Sequence, residues 1–191
     1  MSQILSKKIS TTSKNDKNYK SIINILIKII GDTIEKLVNY EQKIINLEDN
    51  YNNKISLNLK EIPNITITNY LKRLIKYSNP ELSTLILGVI YFDRICNNGN
   101  IILNIFNVHK LILISFVLAI KFNEEYFETN KFYSKIGGIN LNSFNILEIK
   151  VLKIINYDLY VYEDIYLSYL NQFSNFLDKT FVNINNSKNE Y

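Results

Sequence analysis

Apolar and polar positions follow a helical period along most of this chain. Between residues 22 and 38 the apolar side chains Ile23, Leu26, Ile27, Ile30, Ile34, Leu37 and Val38 recur every three or four residues. Lys28, Asp32, Glu35 and Lys36 lie between them, which is the spacing of one broad apolar helix face. Pro63 introduces a second helix, with Thr66 or Thr68 as its N-cap and Leu71, Leu74 and Ile75 on one face. Asn79-Pro80-Glu81 reads as another start: a capping residue, Pro at the first helical position, then an acid in the first turn. A helix from there to about Cys96 turns Leu82, Ile86, Val89 and Ile90 inward, and Asn97-Asn98-Gly99-Asn100 makes a turn.

The next helix, over 104–122, contains Leu111-Ile112-Leu113-Ile114-Ser115-Phe116-Val117-Leu118-Ala119-Ile120 and has no polar face. A helix that is apolar all round, yet too short to cross a bilayer, belongs at the centre of a globular helical domain. Beyond it a short helix or turn within 126–136 stops at Gly137-Gly138, a pair suited to a left-handed C-terminal cap. Asn140 caps a helix carrying Leu141, Phe144, Leu147, Val151, Leu152 and Ile155, and a last amphipathic segment covers 162–173. The predicted fold is therefore all-α: five helices around a buried central one, with an N-terminal amphipathic helix and a short C-terminal helix. The expected organisation is a polar disordered tail (1–18), an amphipathic helix (19–45), a loop (46–62), the helical core with the helix that follows it (63–174), and a polar tail (175–191).

Composition supports this reading. Five Gly and two Pro in 191 residues leave few helix breakers, and 47% hydrophobic residues can fill one core. A net charge of +4, with lysines spread along the helices, gives no basic stripe with interleaved aromatics, so no nucleic-acid partner is expected. Cys96 is alone, which excludes an intramolecular disulfide and fits a reducing compartment. The opening residues hold no apolar core of signal-peptide length, and no segment reaches transmembrane length. A soluble protein of the cytoplasm and/or nucleus, without a membrane partner, is expected.

Enzyme templates are missing: there is no GxxxxGK[ST], GxGxxG, HExxH or paired CxxC. The single histidine, His109, has no second ligand at metal spacing and reads as a helix-surface or capping residue. No catalysis, metal or cofactor is expected. Three charges nevertheless break the apolar pattern. Asp93 follows Ile86 by seven and Val89 by four, on the apolar stripe, where a carboxylate needs a partner; Arg73 and Arg94 are the candidates. Lys121 ends the buried helix and Glu148 sits between Leu147 and Ile149. A lysine at a helix end can serve the helix dipole alone, so these two carry either a local or a binding role.

Tyr70-Leu71-Lys72-Arg73-Leu74-Ile75-Lys76-Tyr77 and Val89-Ile90-Tyr91-Phe92-Asp93-Arg94-Ile95 resemble the opening of a cyclin box. Asn107-Val108-His109-Lys110-Leu111 and Ala119-Ile120-Lys121-Phe122 resemble its third helix. Asn130-Lys131-Phe132-Tyr133-Ser134-Lys135-Ile136-Gly137-Gly138-Ile139, followed by Leu147-Glu148, is similar to P-type (U-type) cyclins, relatives of the yeast phosphate-starvation cyclin. The resemblance runs from about Ile22 to Phe173 and implies a single five-helix cyclin box around its third helix.

It also implies roles. Lys121 and Glu148 match the pair with which cyclins grip a kinase around its C-helix, Lys donating to backbone carbonyls and Glu accepting from backbone amides. Phe122, Tyr126 and Phe144 would surround them. Arg73 and Asp93 match the ion pair bracing the first two box helices. The implied partner is a cyclin-dependent serine/threonine kinase, held as a heterodimer and activated through its C-helix; the alternative is a cyclin-fold scaffold that activates no kinase. Two departures bear on this. Glu124 and Glu125 replace aspartates common after the Lys-Phe, and the Met-Arg-x-Ile-Leu docking motif is absent.

Overall fold

The apolar run forms the axis of the molecule. The computed structural model describes residues 17–45 and 63–188, with side chains from 19–43 and 63–177. The expected N-terminal tail and the expected loop at 46–62 lie almost wholly outside the described residues. Among the described residues seven helices follow one another: α1 (Lys17–Ile45), α2 (Ile67–Ser78), α3 (Leu82–Gly99), α4 (Val108–Asn123), α5 (Asn130–Gly137), α6 (Leu141–Ile154) and α7 (Glu163–Lys188). Among the described residues there is no strand. The five helices α2–α6 surround and include α4, whose residues from Leu111 through Ile120 are all buried.

The neighbours of α4 each give it one face. α3 lies closest, because Gly88 lets the two helices approach: a Cβ there would stand 2.7 Å from Cδ1 of Phe116, well inside van der Waals contact. On α1 the predicted stripe is buried at Leu26, Ile27, Ile30, Ile34 and Val38. Leu37 is half exposed instead, on the rim of a cleft between α1 and α7.

Caps explain several boundaries. Thr66 accepts from the Asn69 amide at 3.2 Å and starts α2, and Asn140 accepts from the Ser143 amide at 2.8 Å and starts α6. Gly138 ends α5 with φ +70°, as the Gly-Gly pair predicts. Nothing lies within 4 Å of a Cβ built on Gly138, so Gly138→Ala adds no clash and only left-handed strain. Denaturant unfolding of that variant is expected to report a loss of about 1–2 kcal/mol.

Four boundaries differ from expectation. Asn79 does not cap α3; with φ 45° and ψ 51° it closes α2 in the left-handed conformation, its amide donating to Ile75 O at 2.8 Å. α3 begins only after Glu81, where the side chain of Glu124 receives the Glu81 amide and the Thr84 hydroxyl, a carboxylate at a helix N-terminus. α3 then runs through the expected turn to Gly99. α4 begins at Val108 rather than near Asn104, because two asparagines fold the preceding backbone into a turn. Asn104 Oδ1 accepts from the Phe106 amide, and Asn107 Oδ1 accepts from the Asn104 amide. Finally, α7 continues to Lys188, through the segment expected as a tail, and buries Ser174 and Leu177.

Candidate functional site

Lys121 lies in the last turn of the buried helix, where its stem rises from the core and its ammonium emerges beside α5 and α6. Its Nζ stands 2.5 Å from Oε1 of Glu148, with both side chains largely covered. The two charges, 27 residues apart in sequence, are thus brought together as one ion pair. Asn130, the first residue of α5, bridges them. Its Oδ1 accepts from Lys121 Nζ at 2.5 Å, and its Nδ2 donates to Glu148 Oε2 at 2.8 Å. The same Nδ2 donates to Asn145 Oδ1 at 2.9 Å. Neither asparagine is a site candidate in the sequence, although Asn130 opens the stretch similar to P-type cyclins and Asn145 lies one turn before Glu148 on the same helix face.

Exposed apolar side chains lie near these residues along the chain. Phe122 is 53% exposed and Tyr126 is 83% exposed, and Phe127 and Ile149 are exposed as well. Phe144 is different: it is fully buried, at 0% exposure. The expectation that it flanks the site is corrected, since its period with Leu147 and Val151 turns it into the core. Ile149, the residue after Glu148 on α6, is exposed instead.

The expected Arg73–Asp93 pair does not form. Arg73 donates from Nη2 to Lys135 O at 3.3 Å, at the carbonyl-rich end of α5. Asp93 instead accepts from the Tyr169 hydroxyl of α7 at 2.7 Å. Arg94 does not replace Arg73: it donates to the Asp158 and Tyr160 carbonyls and pairs with the Asp158 carboxylate at 3.6 Å.

Burial raises the Asp93 carboxyl above its ordinary value, and the Tyr169 bond offsets part of that rise. The folded chain therefore holds this proton more tightly than the unfolded one. Stability from this group falls as pH rises through the raised range, and the ionised form is the less stable at neutral pH. Asp93→Asn keeps an acceptor for Tyr169 and removes the charge. Its melting temperature at pH 7 is expected to exceed that of the wild type, the difference shrinking in acid; a lower Tm at pH 7 would show that the charge itself stabilises.

His109 is also placed differently from expectation. It is 6% exposed, with Nε2 3.0 Å from Ile65 O and its ring edge-on to Tyr70. Burial lowers its pKa, which keeps the imidazole neutral inside the fold. Burial likewise pushes the Cys96 thiol up to about 12, so it behaves as a small apolar side chain. Among the described residues no three His, Cys, Asp or Glu converge on a metal-sized site, and no helix is long and apolar enough to cross a membrane.

The sequence model of the cyclin family matches residues 16–159. The chain belongs to the cyclin family, whose members are regulatory proteins. It is 26% identical to Cyclin-U2-1 of Arabidopsis thaliana over 148 residues, 77% of this chain and 67% of that protein. It is 34% identical to Cyclin-U4-1 of Arabidopsis thaliana over 108 residues, 56% of this chain and 54% of that protein. With PHO85 cyclin-like protein psl1 of Schizosaccharomyces pombe it shares 33% identity over 122 residues, 59% of this chain and 50% of that protein. These names match the P/U type within the family. In these three alignments the chain spans from half to two-thirds of the relatives' own length.

Proposed function

We propose that this chain is the regulatory subunit of a cyclin-dependent serine/threonine kinase, bound one to one through Lys121 and Glu148. The observation that carries the reading is the Lys121–Glu148 pair itself: two charges held together where the buried helix ends against α6, with exposed Phe122 and Tyr126 following Lys121 in the chain. Such a surface suits a protein partner, because a few desolvated polar anchors inside an apolar patch carry most of an interface's energy.

The mechanism needs no catalytic group on this chain. A kinase is active when its C-helix swings inward and completes a Lys–Glu ion pair with the phosphate-binding lysine. Lys121, with three N–H donors, can reach carbonyls at the end of a kinase segment, and Glu148 can accept from backbone amides. A surface that engages only the inward C-helix shifts the kinase equilibrium by the difference in affinity for the two states. A swing from about 1:99 to 99:1 needs roughly a 10⁴-fold preference, well within what a hot-spot interface supplies.

Titrating the chain into its purified partner kinase, with peptide phosphorylation as the readout, tests this. Phosphorylation is expected to rise with the fraction of kinase bound. Saturated binding with an unchanged rate would replace the activator reading by that of a scaffold.

A further inference from the structure

We infer that Asn130 is a positioning residue that holds both anchors at once, so that Lys121 and Glu148 can engage a partner together. This inference rests on the kinase-binding reading above. In the free protein the two charges satisfy each other at 2.5 Å, yet gripping a partner requires the ammonium to turn from the carboxylate to new acceptors. A carboxylate abandoned in a half-buried site is costly. Asn130 is built to prevent that. Its Nδ2 already donates to Glu148 Oε2, the oxygen that Lys121 does not use, so the carboxylate keeps a donor and its position when the ammonium leaves. Its Oδ1 meanwhile accepts from Lys121, giving the ammonium a second resting partner that is neutral and easier to leave than a carboxylate. Asn145 Oδ1 accepts from the same Nδ2 and orients the amide with its carbonyl toward Lys121. One amide therefore presents a donor to the acid and an acceptor to the base, a division of labour that neither Asp nor Ala reproduces.

Asn130→Asp separates positioning from structure. Asn130 is the first residue of α5, after the Thr129 cap, and a carboxylate in the first turn of a helix is favourable, which offsets part of its repulsion from Glu148, so the helix content is expected to be unchanged. At the site the new carboxylate faces Glu148 Oε2 and Asn145 Oδ1 with no donor, and it holds Lys121 more tightly. Affinity for the kinase recovered and purified with the wild-type chain is expected to fall at least about tenfold. Asn130→Ala is expected to lose affinity too, and to lose much less of it when introduced into Lys121→Ala, since the residue acts through that pair. Wild-type affinity in both Asn130 variants, with Lys121→Ala still weakened, overturns the inference and leaves the kinase-binding reading standing. So does an Asn130→Ala loss that is undiminished in the Lys121→Ala background. If the wild-type chain binds no kinase, or Lys121→Ala binds as the wild type does, the reading beneath the inference fails and the inference falls with it.

Discussion

Lys121→Ala is expected to weaken kinase binding by about 2–4 kcal/mol, or about 30- to 1000-fold in affinity, with helicity unchanged. The size follows from where the side chain sits. Its ammonium rests between Glu148 and Asn130 in a largely covered cluster, so it turns to a partner's acceptors from a confined position and loses little freedom in doing so. Truncation removes the donor and leaves Glu148 without its counter-charge at the moment the interface closes over it, which is the situation that makes a broken charge pair expensive. The fold keeps its core, because every residue from Leu111 to Ile120 remains buried beneath the site. Isothermal titration against the purified kinase reads the affinity and circular dichroism reads the helix content. An affinity within twofold of wild type would remove Lys121 from the interface.

Phe144→Ala is expected to act in the opposite compartment, costing about 3–5 kcal/mol of folding stability. Phe144 is fully buried on α6, so its loss leaves a cavity in a packed core that relaxes only in part. Tyr126→Ala makes the contrast: at 83% exposure it is expected to leave stability within about 0.5 kcal/mol while lowering affinity for the kinase. Urea unfolding of the two variants checks both statements. A Phe144→Ala loss under 1 kcal/mol would contradict its burial, and wild-type affinity in Tyr126→Ala would take it out of the interface.

The pair Phe144 and Tyr126 also marks how far the sequence could be read. α4 was legible at once, because a run from Leu111 to Ile120 without a polar face has one place to go in a helical protein. Phe144 is legible as core by its spacing to Leu147 and Val151, and that period, rather than a place around Lys121 and Glu148, decides where it goes. The starts of α3 and α4 were not legible in the same way. Asn79 and Asn104 both look like caps, but an asparagine can close one helix in the left-handed conformation, or fold a turn before the next, as readily as it starts one. The length of α7 is hidden in the sequence by its polar composition, with Asn, Ser, Lys and Asp recurring from Asn175 to Lys188.

At the site, Lys121 and Glu148 were visible as charges where the pattern called for apolar residues. That they pair with each other depends on how α4 and α6 pack, which no local spacing encodes. Arg73 and Asp93 show the same limit from the other side. Both were visible as an arginine and a carboxylate in need of partners, yet packing gave Arg73 a backbone carbonyl of α5 and Asp93 the hydroxyl of Tyr169. Asn130 and Asn145 carry no site signal of their own, because asparagine is common along the whole chain; only the fold brings these two to the Lys121–Glu148 pair.

The central claim is that this P/U-type cyclin holds a kinase through Lys121 and Glu148. It is tested most directly by capture from native lysate with a phosphorylation assay on the captured material, comparing wild type with Lys121→Ala/Glu148→Ala. The account predicts that the wild type recovers an active cyclin-dependent kinase and that the double variant, equally folded, recovers little or none. Equal recovery of kinase activity by both forms, or none by either, would contradict it.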